Sequence, residues 1–256
     1  MNILISNDDG INAEGIKQLA KALATVADVY VAAPHTQRSA NSHAITLHNT
    51  VFVNETDFPF AKKAFEVSGT PADCIKMGVQ LLKEDGIDVD MVFAGINHGS
   101  NLGRDTLYSG TVGAAMEGAL CGCLSVAVSV DSHIATHFDV AGELAVDIIP
   151  LIYGKVSPNI IMNINVPDLP REEIKGIKYT KLGGKYYCDK FHFVGEKDGT
   201  TEYKLDGEPW DFKGAEEIYD VTAANNNFAS ITPLHFDYTK DDMVDEIAKW
   251  NLKIKN

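Results

Sequence analysis

Basic residues are in short supply: 22 Lys and Arg stand against 36 Asp and Glu, giving a formal net charge of -14. Such a chain repels long polyanions, and no local basic cluster interrupts the acidic balance, so a nucleic-acid polymer is excluded as a partner. A small phosphate ester is still admitted, because a bound divalent cation reverses the local field. Cysteine is also rare. Cys74, Cys121, Cys123 and Cys188 include no C-x-x-C pair and fall mostly in apolar or helix-like stretches, which predicts buried free thiols and argues against a zinc site. There is no basic-then-apolar leader and no apolar run long enough to span a bilayer, so a cytoplasmic address without membrane association is expected.

The common nucleotide fingerprints are missing too. Gly95, Gly99 and Gly103 do not have G-x-G-x-x-G spacing, and Lys185 after Gly183 and Gly184 lacks the rest of a P-loop. His133 and His137 have zincin spacing but no Glu between them, in an apparent loop; they read as incidental or substrate-facing. No internal repeat or low-complexity tract is visible.

What is present is an alternation of short apolar runs with amphipathic stretches. Strands are expected at 2–6, 28–33, 89–94, 124–130 and 160–166, and helices at about 14–26, 71–83, 111–122 and 139–153. Such a βαβ series gives an α/β fold, a mostly parallel sheet with helices on both faces. Ala44–Val53 and Ala64–Val67 read as extra strands at the sheet edge. In GTPADC, Thr70 is placed as N-cap, Pro71 as the first helical residue and Asp73 as the carboxylate near the positive helix end. After Pro167 the texture changes. Residues 1–166 are read as the catalytic core, and residues 167–256 as a β-hairpin arm at 170–230 followed by a terminal helix from 240 to about 252.

The chemistry gathers at strand ends. Asp8 and Asp9 follow the first strand, where open α/β sheets bind ligands, so the pair is placed to hold a cation. Asn-Asp-Asp-Gly is also good turn chemistry, and either Asp can cap the next helix; the segment alone admits both readings. Arg38 and Ser39 lie in the loop after the second strand, where a hydroxyl is an ordinary magnesium ligand and a guanidinium suits phosphate, or where both are simply loop residues. The densest stretch runs from Phe93 to Leu120. Its strand is expected to end at Phe93 or Ala94, and Asn97 and Asn101 supply amides among the glycines. Ser109, Gly110 and Thr111 then open a helix whose free N–H groups fit a phosphoryl group, or an ordinary N-cap.

Taken together, the NDDG start, the AP-x3-RS loop, GTPADC, the GIN-x-G-x-N-L-G loop with YSGTVGAAMEG, and a TPL near Thr232 closely resemble the SurE family, over residues 1 to about 235. The resemblance implies a Rossmann-like domain with a hairpin arm and a C-terminal segment exchanged between subunits in a homodimer or homotetramer. It implies one divalent cation per subunit, Mg or Mn, held by Asp8, Asp9, Ser39 and Asn97, with Asp8 and Asp9 catalytic. Phosphate would lie near Asn101, Ser109, Gly110 and Thr111. The implied activity is hydrolysis of nucleoside 5'-monophosphates, with 3'-monophosphates and short polyphosphate as further substrates. Where many members have RSG this chain has RSAN, and His35 and His98 stand at variable positions. A phospho-aspartate route ranks lower, since the D-x-D spacing is absent. The rival from another class is a sensor that binds a nucleotide in the same cleft without turning it over.

Overall fold

The computed structural model describes residues 1–187, 189–207, 209–211, 216, 218–250 and 252–254, with backbone alone at 185–187 and 209–211. Up to residue 167 the elements are β1 (Asn2–Ser6), α1 (Glu14–Leu23), β2 (Asp28–Pro34), β3 (Val53–Thr56), β4 (Lys63–Val67), α2 (Pro71–Glu84), β5 (Met91–His98), α3 (Gly110–Leu120), β6 (Leu124–Asp131), α4 (Asp139–Asp147), α5 (Ile149–Ile152) and β7 (Ile161–Pro167). Then come β8 (Ile177–Tyr179), β9 (Lys185–Tyr187), β10 (Lys190–Lys197), β11 (Thr200–Asp206), β12 (Pro209–Asp211), α6 (Asp220–Asn225), β13 (Ala229–Leu234) and α7 (Asp241–Ala248).

One sheet holds nine strands in the order β3-β4-β2-β1-β5-β6-β7-β13-β8. The run from β4 to β7 is parallel throughout. Numbered by themselves in chain order, those strands run 3-2-1-4-5-6, the Rossmann arrangement, and the order reverses between β1 and β5. The expected α/β architecture is therefore present. Strand β1 shows why its sequence lacks polar alternation: Ile3 and Ile5 enter the cluster under α1, α4 and α5, while Leu4 enters the one under α2 and α3. The capping box expected at GTPADC is formed, with Asp73 N–H donating to Thr70 Oγ1 at 3.1 Å and Thr70 N–H donating to Asp73 Oδ2 at 2.9 Å.

Several elements differ from the sequence expectation. The strand placed at 44–53 is irregular as far as Phe52, and only Val53–Thr56 pairs, antiparallel to β4. The helix expected through 139–153 is split at Ile148, because Pro150 has no N–H and its ring obstructs a continuous helix. Strand β5 runs on to His98, with its register against β6 shifting between Ala94 and Asn97. Glycine makes that irregularity possible. Gly95 has φ +132°, and a Cβ there would lie 2.1 Å from the Val128 carbonyl oxygen.

The arm holds two antiparallel pairs, β10 with β11 and β9 with β12. Asp198 and Gly199, both at positive φ, join Lys197 to Thr200 as a two-residue hairpin loop. Yet residues beyond 166 are not all arm: β13 pairs antiparallel with β7, and β8 extends the same sheet beside it. Ile231 and Leu234, although they follow the βαβ series, are buried in the chain's own core. Met243, Ile247 and Trp250 of the terminal helix segment are exposed. Cys74 and Cys123 are buried free thiols and Cys121 is half-buried, while Cys188 lies outside the described residues. Among the described residues no helix is long and apolar enough to cross a membrane.

Candidate active site

The topological switch between β1 and β5 places the ends of those two strands side by side, and the loops leaving them form the walls of a crevice. At the end of β1 the turn is closed by Asn7, whose Nδ2 donates to the Gly10 carbonyl at 2.9 Å while its Oδ1 accepts the Gly10 N–H at 3.2 Å. Helix α1 then starts after Ala13 with no side-chain cap. Asn7 and Gly10 thus do the work of the turn, and neither Asp8 nor Asp9 caps the helix.

Asp8 is buried, 4 % exposed, and sits on the first turn of α3. Thr111 Oγ1 donates to Asp8 Oδ1. A Cβ at Gly110 would lie 2.8 Å from Asp8 Cβ and 2.9 Å from its Oδ2, so glycine is required for the carboxylate to reach the helix start. Burial pushes the Asp8 carboxyl up to about 6, and the Asp9 charge adds to this, against the opposing hydrogen bond from Thr111. Asp9 is less enclosed: its Oδ2 accepts the His98 N–H at 3.2 Å and its Oδ1 meets Gln37 Nε2 at 3.4 Å.

The extension of β5 delivers Asn97 to this place. Asn97 Nδ2 donates to the Gly99 carbonyl at 2.8 Å, and the residue lines the cleft. Helix α1 packs backbone to backbone beneath it, and a Cβ at Gly15 would lie 1.9 Å from the Ile96 oxygen. Asn101 is held from the adjoining strands. Its N–H donates to Asn165 Oδ1 at 2.7 Å, its Nδ2 donates to Ser129 Oγ at 2.8 Å, and its carbonyl accepts from Asn163 Nδ2 at 2.8 Å. The loop carrying Ser39 is fastened at several points: Arg38 N–H to the Asp8 carbonyl at 2.7 Å, Ser42 Oγ to the Leu107 carbonyl at 2.7 Å, and Thr46 N–H to Asp73 Oδ1 at 3.0 Å. His43 Nε2 of the same loop pairs at 2.8 Å with Glu117 of α3, which also meets Lys76 Nζ at 2.7 Å; these partners, His43 foremost, hold the buried Glu117 carboxyl below its usual range.

The result is a cleft of about 440 Å³ lined by Asp8, Asp9, Ser39, Asn97, Asn101 and Ser109 among others. Gly110 and Thr111 are not on its wall. They back Asp8 from behind, because the Thr111 hydroxyl is already donated to that carboxylate. Ser109 is the N-cap of α3, its Oγ accepting the Val112 N–H at 3.0 Å, and it still faces the cleft. Arg38, read as a possible phosphate ligand, turns its guanidinium to the Ser68 carbonyl at 3.0 Å and lines no part of the cleft.

The family model described as Survival protein SurE matches residues 3–189. The chain belongs to the SurE family. A protein named 5'-nucleotidase SurE from Heliobacterium modesticaldum is 41 % identical over 98 % of this chain and 92 % of its own length. Another of that name, from Trichormus variabilis, is 40 % identical over 98 % of each chain. The crystal structure of the SurE protein from Aquifex aeolicus superposes with a TM-score of 0.83 at 34 % identity, covering 98 % of this chain and 99 % of that one.

Ser129, Asn163, Asn165, Glu117 and His43 were not singled out from the sequence. For all but His43 the signal is a polar residue inside an otherwise apolar strand or helix, as in NINVP, and it gains meaning only once the fold shows these side chains buried around the cleft loops; His43, in a polar loop, carries no such signal.

Proposed function

We propose that this protein is a metal-dependent 5'-nucleotidase, hydrolysing nucleoside 5'-monophosphates to nucleoside and phosphate, and by extension acting on 3'-monophosphates and short polyphosphate. Relatives of that name align over nearly the whole chain. The observation that carries the metal is the charge of the cleft: Asp8, Asp9 and Asp105 line it, and no Lys or Arg does. A phosphate dianion is repelled by such a wall unless a cation stands between them. Among the described residues no three His, Cys, Asp or Glu side chains gather into a metal cluster. The donor set is instead two carboxylates, the Ser39 hydroxyl and the Asn97 amide oxygen, all hard oxygens that suit Mg or Mn with water completing the shell.

Asp8, Asp9, Ser39 and Asn97 would hold a divalent cation there, and its chemistry would be to neutralise phosphoryl oxygens and to lower the pKa of a water. The protein's own residues supply the remainder. Thr111 and Gly110 fix Asp8, His98 N–H fixes Asp9, and Asn101 and Ser109 stand where donors can hold phosphoryl oxygens. The proton of the attacking water passes to the Asp8–Asp9 pair. A phosphate-release screen over nucleoside monophosphates with Mg, with Mn and with chelator tests this reading; tight nucleotide binding without release would favour the sensor instead.

Thr111→Val should destabilise the fold by about 1–3 kcal/mol and weaken cation binding, because Asp8 loses its hydroxyl donor in a buried place. Urea unfolding together with metal titration checks it, and wild-type values for both would count against the role. Oligomerisation is part of the same proposal. Met243 and Ile247 of α7 and Trp250 just past its end are exposed apolar side chains, which a second subunit would cover. Truncation before Asp237 should lower the subunit number measured by light scattering; an unchanged number refutes packing by the tail.

A further inference from the structure

Of the fourteen residues lining the cleft, only His98 and His133 have side chains that can carry positive charge. His98 is enclosed: its ring meets Phe138 at 5.1 Å between centroids with the planes tilted by 42°, and its Nε2 is buried without a hydrogen-bond partner among the described residues. His133 is different. It is exposed, on the loop between β6 and α4, and its ring rests on Gly99, where a Cβ would lie 2.9 Å from both Cε1 and Nδ1. Gly99 has φ +107° and donates its N–H to the Val130 carbonyl at 3.0 Å, so the bare Cα under the ring is fixed in place.

The far end of the same loop is fastened as well. Asp168 Oδ1 accepts the Thr136 N–H at 3.0 Å, the His137 N–H at 2.9 Å and contacts His137 Nδ1 at 3.0 Å. A loop that exposes Ile134 to 85 % is thereby held at both ends, and His133 is the residue it presents to the cleft. It reaches the sheet edge from the side covered by α1 and α4, whereas Ser109 reaches it from the opposite side with α3. A substrate phosphorus between Asp8–Asp9 and the α3 start would leave its ester oxygen toward His133.

We propose that His133 is a catalytic residue of the reaction proposed above, giving a proton to the nucleoside oxygen as it leaves. The water oxygen bonds to phosphorus, and the phosphorus–oxygen bond to the nucleoside breaks with its electron pair on the nucleoside oxygen. That oxygen takes the ring proton, the Asp8–Asp9 pair takes one proton from the attacking water, and exchange with solvent restores both groups. One water is consumed, and nucleoside and phosphate are released.

This inference rests on the phosphomonoesterase reading, and its test separates the two. Wild type, His133→Ala and His133→Gln are assayed with a nucleoside 5'-monophosphate and with p-nitrophenyl phosphate, whose leaving phenolate needs no proton. Both variants should lose about a hundredfold in kcat on the nucleotide and less than about threefold on p-nitrophenyl phosphate, with unchanged melting temperature. Equal losses on both substrates, or no loss on the nucleotide, would overturn the role of His133 alone. A wild type that hydrolyses neither substrate would overturn the phosphomonoesterase reading together with it.

Discussion

Asp9→Asn should lower turnover of a nucleoside monophosphate by at least about a hundredfold while the protein stays folded. Of the two adjacent carboxylates Asp9 is the less enclosed, held only by the His98 N–H and a long contact from Gln37, so the amide fits without unsettling the core. On the proposed reading the change removes one of two negative charges that would face a cation, and several kcal/mol of transition-state stabilisation would go with it. The measurement is kcat across a magnesium titration beside a thermal melt. Raising the metal concentration should recover part of the loss if affinity is the cause. Full wild-type activity in excess chelator would remove the basis of the prediction.

The second large effect has the opposite sign on stability. In the metal-free protein the Asp8 carboxyl is pushed up to about 6 from 3.8, chiefly by burial. Because the folded state binds this proton more tightly, Asp8's favourable contribution is full below the unfolded pKa and is lost as pH rises through the folded one. That difference corresponds to roughly 3 kcal/mol in the metal-free fold at pH 7. Asp8→Asn removes the ionisable group and leaves an amide oxygen for Thr111. The variant should therefore be inactive yet more stable than wild type in urea with chelator at pH 7.5, with the gap narrowing toward pH 4. Equal gaps at the two pH values, or a less stable variant, would contradict burial as the cause.

Much of this was legible in the chain itself. The parallel sheet could be read because its strands are buried on both faces and bounded by turn residues, and the Thr70–Asp73 cap because a capping box is a local pattern. The cleft residues Asp8, Asp9, Ser39 and Asn97 could be placed on one edge because each follows a strand of the series. The turn-or-ligand ambiguity at Asp8 could not be resolved in sequence. It depends on Asn7 closing the turn and on Gly110 admitting the carboxylate, and that contact joins residues 8 and 110 across the fold. Strand β5 was cut short for a similar reason: Gly95 looks like a terminator until the Val128 carbonyl beside it is seen. Return of β13 to the sheet was hidden because an antiparallel edge added after a completed βαβ series leaves no periodic mark.

Asp220 joins regions that the sequence keeps far apart. Its buried carboxylate accepts the Gly103 N–H at 2.8 Å from the loop after β5, the Gly183 N–H at 2.6 Å from the base of the arm, and the Val221 N–H at 2.8 Å from the start of α6. Two segments distant in sequence, at Gly103 and Gly183, thus meet on one carboxylate carried by α6, the first through Oδ2 and the second through Oδ1. Asp220→Ala should raise amide exchange at both Gly103 and Gly183, which hydrogen exchange measures; a rise at one alone would separate the base of the arm from the rim of the cleft. The root of the arm at Gly183 and the loop that carries Asn101 are therefore joined through a single side chain, and a shift of one reaches the other by way of Asp220.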